Sequence, residues 1–348
     1  MSLMRWLKCL TIGILILPIA IGRPHAAPKR ALYAITELPL SPASINASGV
    51  VAGTTMKELN PVHAASWSAK DGLQLLGSIP AGFLISEAAG INDSGSVAGT
   101  LIGPVGNPTS AILFAQGKAK QLDAAGNAHA FAINNSNHAV GESVIPNAGG
   151  THPVMWTEQG ALINLGDCCG GVAKAINESD QIVGYMWSSD HRYEAFLWDR
   201  THGIVRLAPS ERFSTALAIN KAGDVLVETT SGYSIYHQAS SSLSKIPLGK
   251  GVATGLNDLG QIVGAAGPVK DHFRALIWDA VNGTRDLNSL VPDDSGWVLE
   301  GAAAINNKGQ IVGWGEHHGE ESFFLLTPTH PSEGNGNSAR TVSGHIAP

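Results

Sequence analysis

A nine-residue pattern of apolar and polar positions recurs seven times along the chain. It consists of an apolar residue, Asn, two variable residues, a turn-forming residue, one variable residue, two apolar residues and, in most copies, Gly. The asparagines are Asn46, Asn92, Asn134, Asn177, Asn220, Asn257 and Asn306, at intervals of 37 to 49 residues. A period of about 43 residues corresponds to about four short strands. The pattern therefore predicts seven copies of one four-stranded unit.

Each copy centres on a predicted β-hairpin, because apolar runs flank a short turn. The third position after the Asn is Gly in five copies and Asn137 or Asp180 in the other two. These residue types tolerate a positive φ best. The leading Asn side chain can accept hydrogen bonds from backbone amides two residues further on. We therefore predict an Asn-capped turn with a left-handed residue in every copy.

Small residues occupy two alternating positions before each Asn. Four residues before it stand Pro42, Ala88, Ala130, Ala173, Ala216, Ala253 and Ala302, and two before it stand Ser44, Gly90, Ala132, Ala175, Ala218, Gly255 and Ala304. Alternation in a strand places both positions on one face. A strand with such a face in every copy packs where the copies converge. This favours the innermost strands of a ring over a linear solenoid.

The remainder of each copy predicts two more strands. The third ends in an aromatic residue in most copies, as in residues 63–67 and 194–198, and a polar-alternating fourth strand follows. Only six fourth strands follow the seven Asn motifs, and residues 33–38 supply the missing pattern. We predict an all-β, seven-bladed β-propeller of four-stranded blades over residues 31–328, closed by the N-terminal strand, which completes the last blade.

The third-strand type His-Ala-Phe-Leu-Trp, the Ala-Ile-Asn hairpin and the Asp-Leu-Gly fourth strand resemble the HAF repeats of bacterial extracellular proteins. The most specific matches are residues 175–184, 256–264 and 304–313. The resemblance implies an exported repeat protein without an established activity, and it supplies no catalytic residues. The fifth copy departs from the pattern, with Val227 in place of the closing Gly, so we expect an irregular blade there.

The two ends of the chain differ from the repeats. Residues 1–26 are predicted to be a secretory signal peptide, because Arg5 and Lys8 precede an apolar run over 9–22 that is short for a mature membrane span. An uncleaved anchor is the alternative. No second apolar run of about 18 residues follows, which predicts a secreted or periplasmic protein with no membrane segment after cleavage. Residues 329–348 are rich in Gly, Ser, Asn and Pro and indicate a disordered tail.

Composition narrows the function classes. The chain is 44% hydrophobic and 14% charged with 41 Gly, which excludes disorder of the whole chain. Its net charge of -6 argues against a nucleic-acid binder dominated by phosphate contacts. The residues predict no cofactor and a monomer. Glu316, His317, His318 and Glu320 carry metal-ligand chemistry, but no spaced third ligand accompanies them, so no metal site is predicted.

In a propeller, the loops from second to third strands and from a fourth strand to the next innermost strand lie on one face, here called the variable face. The Asn turns lie on the opposite face, the turn face. Non-repeating residues on the variable face are the candidates for function. The candidate binding residues are Trp187, Asp190, His191, Arg192, Asp271, His272, Trp314, His317 and His318. Such aromatic, acidic and basic side chains suit a glycan or a peptide.

Cys168 and Cys169 are the cysteines that remain after removal of the signal peptide. In an oxidising compartment they pair with each other, pair between chains, or stay free. We predict a vicinal disulfide, and such strained links tend to occur at ligand-contacting or redox positions. The alternative is a loop that only rigidifies the turn beside Gly170 and Gly171.

Two function hypotheses of different class follow. The preferred one is an exported, non-catalytic recognition module that binds a glycan, peptide or protein partner on its variable face. The alternative is a secreted carbohydrate-active enzyme, a polysaccharide lyase or hydrolase with its site at the channel mouth. In that enzyme His191, His272 or His317 would act as the base, and Arg192 or Arg274 would stabilise a carboxylate.

Overall fold

A computed structural model describes residues 31–56, 62–123, 126–146, 149–166, 170–190, 192–249, 251–267 and 273–330. Twenty-eight strands form seven antiparallel four-stranded sheets, each packed against its two neighbours in a closed ring. The predicted seven-bladed β-propeller is confirmed. A 3-10 turn at Leu287–Leu290 is the one helical element in the described ranges. None of their helices has the length and apolar character needed to cross a bilayer.

Blades 1 to 3 follow the predicted repeat. Blade 1 contains β2 (Leu40–Ile45), β3 (Val51–Thr55), β4 (Ala64–Ser68) and β5 (Gly72–Leu75). Blade 2 contains β6 (Ile85–Ile91), β7 (Val97–Ile102), β8 (Ser110–Ala115) and β9 (Lys118–Gln121). Blade 3 contains β10 (Ala128–Ile133), β11 (Ala139–Val144), β12 (Thr151–Trp156) and β13 (Leu162–Asn164). Within each blade the strands pair in chain order from the innermost to the outermost.

Blades 4 to 6 repeat this order. Blade 4 contains β14 (Gly171–Ile176), β15 (Ile182–Trp187), β16 (Tyr193–Asp199) and β17 (Gly203–Arg206). Blade 5 contains β18 (Ser214–Ile219), β19 (Val225–Thr229), β20 (Gly232–His237) and β21 (Ser242–Lys245). Blade 6 contains β22 (Val252–Leu256), β23 (Ile262–Ala266), β24 (Arg274–Asp279) and β25 (Gly283–Asp286). The irregularity expected in blade 5 is not observed, since Val227 pairs with Ala216 in a complete sheet.

Blade 7 combines the two ends of the folded region. It contains β26 (Trp297–Ile305), β27 (Ile311–His317), β28 (Glu320–Pro328) and, on its outer edge, β1 (Tyr33–Leu38). β1 runs antiparallel to β28, with Tyr33 opposite Pro328 and Leu38 opposite Phe323. The predicted closure of the ring is confirmed, and it covers an edge of β28 that would otherwise be unpaired.

Every innermost strand carries a β-bulge three residues before its Asn, which the sequence analysis did not predict. The register shifts at this point in all seven blades, for example between Ala130 and Ala132. The residue two before the Asn lies against the next blade. A methyl group added to Gly90 would come within 2.9 Å of the Cα atom of Ala132. Small side chains occur here because neighbouring innermost strands approach each other closely.

The Asn of each repeat caps its own turn. Oδ1 of Asn46 accepts hydrogen bonds from the amides of Ser48 and Val50 at 3.0 and 2.9 Å. The third residue after the Asn has a positive φ in all seven blades, from 56° at Asn137 to 88° at Gly49. The predicted Asn cap and left-handed turn residue are therefore confirmed.

The same Asn also joins neighbouring blades, which the sequence analysis missed. Nδ2 of Asn46 donates a hydrogen bond to the carbonyl oxygen of Asn92 at 3.0 Å. Equivalent bonds run from Asn92 to Asn134, Asn134 to Asn177, Asn177 to Asn220, Asn257 to Asn306 and Asn306 to Asn46. One side chain thus stabilises both a turn and a blade boundary.

Candidate functional site

The mouth of the central channel on the turn face is lined by residues that join the blades. A cavity of about 390 Å³ is lined by the Asn turns of all seven blades. Asp93 accepts a hydrogen bond from the Ala47 amide at 2.9 Å, and Asp258 accepts one from the Lys221 amide at 2.8 Å. The carboxylates at this mouth therefore help to join one blade to the next.

An aromatic cluster lies on the variable-face side of blade 4. The ring of Tyr193 is 4.9 Å from that of Tyr185, 6.4 Å from that of Trp187 and 5.7 Å from that of Phe213, centroid to centroid. Trp187 is 38% exposed and Tyr193 39% exposed. Phe213 precedes the first strand of blade 5, so the cluster spans a blade boundary. Tilted and edge-on contacts of this kind hold aromatic rings in fixed orientations.

Trp187 also packs against a glycine, Gly170. A methyl group added to Gly170 would lie 3.0 Å from Cε3 of the Trp187 indole. The backbone amide of Trp187 donates a hydrogen bond to the Gly170 carbonyl at 3.2 Å. Gly170 has a φ of 73°, a conformation that glycine adopts without strain. The indole therefore lies close to the backbone where the chain enters blade 4.

Three polar residues that follow Trp187 contact one another. Nε of Arg192 donates to Oδ2 of Asp190 at 2.7 Å, and the Ser188 hydroxyl donates to Oδ1 of Asp190 at 2.5 Å. The hydrogen bond from Ser188, followed by those from Arg192, lowers the pKa of the Asp190 carboxyl. Arg192 and Arg206 both form ion pairs with Glu194, which is largely buried. Asp190 and Arg192 thus stand next to the aromatic cluster in a defined geometry.

The candidate residues of blade 7 are engaged differently. The His317 ring stacks on Trp297 at 4.6 Å, and its Nδ1 lies 3.1 Å from Oε2 of Glu37 in β1. The His318 ring follows at 4.3 Å from that of His317. These contacts connect β27 to the closing strand. No group of three metal-ligating side chains is found anywhere in the described ranges.

Trp314 lies on the second strand of blade 7, 36% exposed. Its indole covers Gly301, where an added methyl group would be 2.2 Å from Cζ2. Blade 7 lies three blades from blade 4 around the ring. In the part of the chain that the structure describes, no hydrogen bond or ring contact joins the blade 4 candidates to those of blade 7.

Exposed large hydrophobic residues are unevenly distributed between the two faces. Among the described residues, those in or next to variable-face loops are Met56, Leu84, Val105, Trp187, Tyr193, Val252 and Phe273. In or next to turn-face loops they are Leu162, Leu259 and Val281. More of these side chains therefore lie on the variable face than on the turn face.

Several predicted residues lie outside the described ranges. These are His191, Asp271, His272, Cys168 and Cys169. The vicinal disulfide stays a prediction from the sequence.

The structure adds site residues that the sequence analysis missed, above all Tyr185, Tyr193 and Phe213. Little in the sequence pointed to them. Tyr185 stands eight residues after Asn177, and this position varies between blades, with Thr54, Thr100, Glu142, Glu228, Ala265 and Trp314 in the others. The repeat therefore does not single out Tyr185.

Comparison with known proteins supports the fold. No family model and no curated protein sequence matches the chain, so the HAF resemblance stays a prediction. A Mycobacterium tuberculosis puromycin-hydrolyzing peptidase is similar at 14% identity and a TM-score of 0.54, over 84% of this chain and 52% of that one. A Pyrococcus horikoshii acylaminoacyl peptidase is similar at 15% identity and a TM-score of 0.53, over 82% and 50%.

A third similar structure is YCF48 bound to D1 peptide, at 12% identity and a TM-score of 0.51, over 88% of this chain and 98% of that one. The chain spans about half the length of the two peptidases and nearly all of YCF48. At these identities the likeness shows the fold alone.

Proposed function

We propose that this chain is an exported, non-catalytic recognition module whose variable face binds a peptide or protein partner. The observation that carries the proposal is the aromatic cluster of blade 4, in which Trp187 and Tyr193 are each more than one-third exposed yet held by neighbouring rings. Export rests on the signal peptide predicted from the first 26 residues.

The cluster has the composition of an interaction hot spot. Trp, Tyr and Arg are the residues that contribute most to protein interfaces, and rigid aromatic side chains lose little conformational entropy on binding. Arg192 directly precedes Tyr193 in the chain, and Asp190 orients its guanidinium. A peptide with apolar side chains and a nearby acidic or carbonyl group would complement this surface. YCF48, which is similar in fold, has been solved with a D1 peptide bound.

The test is a selection of displayed peptides on the immobilised chain, followed by measurement of the dissociation constants of the selected peptides. Trp187→Ala and Tyr193→Ala are expected to weaken binding about tenfold or more. The matched control is Val281→Ala, which removes an apolar side chain that is 81% exposed on the turn face. It should leave binding unchanged. Thermal unfolding of each variant confirms that the ring is intact.

The outcomes separate the hypotheses. Peptides that depend on Trp187 and Tyr193 but not on Val281 support the proposal. A selection that yields no peptide, or peptides equally weakened by the control, contradicts it. A parallel panel of acidic and neutral glycans then distinguishes the alternatives. Retention without cleavage would indicate a glycan-binding module, and released fragments would indicate the carbohydrate-active enzyme.

A further inference from the structure

The wall of the central channel is uneven, and its larger side chains enclose a second cavity. The bulged residue three before the Asn is alanine in blades 1, 2 and 7. In blades 3 to 6 it is Phe131, Lys174, Leu217 and Thr254, and these four side chains line one cavity of about 390 Å³. This volume lies within the range of small-molecule sites in proteins. The scaffold does not require these larger residues, because three blades form without them.

The cavity is lined by two side chains of opposite charge and by an aromatic ring. Nζ of Lys174 lies 5.8 Å from the centroid of the Tyr185 ring. Glu142 also lines the cavity, and its Oε1 is 3.1 Å from Nδ1 of His129. Burial, and then the Glu142 charge, raise the pKa of the Tyr185 hydroxyl. Among the described residues, no ion pair joins Lys174 to a carboxylate.

We propose that this channel cavity binds a small zwitterionic ligand, an α-amino acid with an apolar or aromatic side chain. Its carboxylate pairs with Lys174, its ammonium group pairs with Glu142, and its side chain packs against Phe131 and Leu217. This site adjoins the proposed peptide surface, because Tyr185 lines the cavity and also contacts Tyr193 of the aromatic cluster. The inference does not rest on the proposed peptide binding.

Charge complementarity selects a zwitterion over a simple ion. An anion would be attracted by the Lys174 ammonium but repelled by the Glu142 carboxylate. A cation would be attracted by Glu142 but repelled by Lys174. Charged groups in a partly enclosed site are costly when unpaired, and unmatched charges exclude wrong ligands. A zwitterionic ligand offers a partner to each residue. The Thr254 hydroxyl donates its proton to the Ala302 carbonyl at 2.7 Å, so that proton is not free for the ligand carboxylate.

The experiment is calorimetric titration of the chain with three probes. They are L-phenylalanine, N-acetyl-L-phenylalanine, which lacks the ammonium group, and L-phenylalaninamide, which lacks the carboxylate. L-phenylalanine is expected to bind. Each derivative should bind with an affinity at least about tenfold lower, since each loses one charge-assisted contact. No binding of L-phenylalanine at millimolar concentration, or equal binding of all three probes, overturns the proposal.

Variants assign each charge to its residue. Lys174→Gln should lower the affinity for L-phenylalanine about tenfold and leave the affinity for L-phenylalaninamide unchanged. Glu142→Gln should weaken L-phenylalanine and leave N-acetyl-L-phenylalanine unchanged. Lys118→Gln, on the outer strand of blade 2, is the matched control and should alter neither. If a variant fails to fold, the three probes on the unaltered chain still decide the matter. Trp187→Ala should not affect these titrations, which separates them from the peptide test.

Discussion

The side-chain amide of Asn306 donates a hydrogen bond to the carbonyl oxygen of Asn46 at 2.9 Å, across 260 positions of sequence. This bond fastens blade 7 to blade 1 at the channel. Pairing of β1 with β28 fastens the same blade at its outer edge. The ring is therefore closed in two places. A side-chain hydrogen bond closes it at the innermost strands, and a paired strand closes it at the outer edge of blade 7.

Asn306→Ala should destabilise the protein more than Asn220→Ala. Both substitutions remove a turn cap, since Oδ1 of Asn220 also accepts from a backbone amide of its own turn, that of Asp224, at 2.9 Å. Among the described contacts, Asn220 lacks the amide bond to the next blade that Asn306 makes. Asn306 also accepts a second amide hydrogen bond, from Lys308 at 3.0 Å. The difference in free energy of unfolding should therefore be about 1–2 kcal/mol, the value of two such hydrogen bonds, measured by urea denaturation. Equal losses would show that the inter-blade bond contributes nothing.

Asn137→Val should destabilise the protein more than Asn137→Gly. Asn137 has a φ of 56°, and its Oδ1 accepts a hydrogen bond from Nδ2 of Asn92 at 2.9 Å. Both variants lose this bond, but only glycine adopts the backbone conformation freely. The penalty of a β-branched residue there is about 1–2 kcal/mol. Thermal unfolding compares the two, and indistinguishable midpoints would contradict the strain argument.

Asn137 and Asp180 also show what can and cannot be predicted from the sequence. Their place in the glycine column correctly predicted a left-handed turn. What the sequence did not reveal is why they differ from glycine. Each accepts a hydrogen bond from the Asn of the preceding blade, from Asn92 and Asn134 respectively. The local conformation follows from the residue type, whereas the contact depends on which blade lies alongside.

The candidate site shows the same limit. Trp187, Asp190 and Arg192 were predicted because they interrupt the repeat within one short loop. Tyr185 was missed because the sequence does not show which residues of β15 and β16 come together when the two strands pair. Phe213 was missed because it belongs to the next blade and only the folded ring brings it to Tyr193. The β-bulges were missed as well, since alternation of small residues does not reveal an unpaired residue between them. Periodicity predicts the repeated unit, and proximity between units requires the structure.

Gly301→Ala should displace the indole of Trp314. The added methyl group would lie 2.2 Å from Cζ2 of the indole, which is shorter than any non-bonded contact permits. We expect a change in tryptophan emission and greater quenching by acrylamide. The control is Gly301→Ala in a Trp314→Phe background, where the change should vanish. Persistence of the change in that background would place its origin at another tryptophan.

Tyr233 should make stability fall at alkaline pH. Burial, and then the neighbouring Glu228 charge, raise its pKa to about 12, and its hydroxyl donates to Oε1 of Glu228 at 3.2 Å. The unfolded chain releases this proton near pH 10, the ordinary tyrosine value. The stabilising contribution is therefore complete below about pH 10 and is lost as the pH rises towards 12.

The measurement is urea denaturation at pH 9 and at pH 11 for the unaltered chain and for Tyr233→Phe. The unaltered chain should lose more stability between the two pH values, because the variant has no proton to release at this site. Parallel losses in the two proteins would mean that Tyr233 titrates normally.

The composition of blade 7 couples folding to the completion of synthesis. Blades 1 to 6 are each built from consecutive strands and can form as the chain emerges, whereas β1 is made first and pairs only with β28. A chain interrupted before Glu320 has six complete blades and an open ring, and its first strand, β1, has no β28 to pair with. Such a product exposes strand edges that the complete protein covers, so a truncated copy differs from a finished one in the surface it offers to proteases and chaperones.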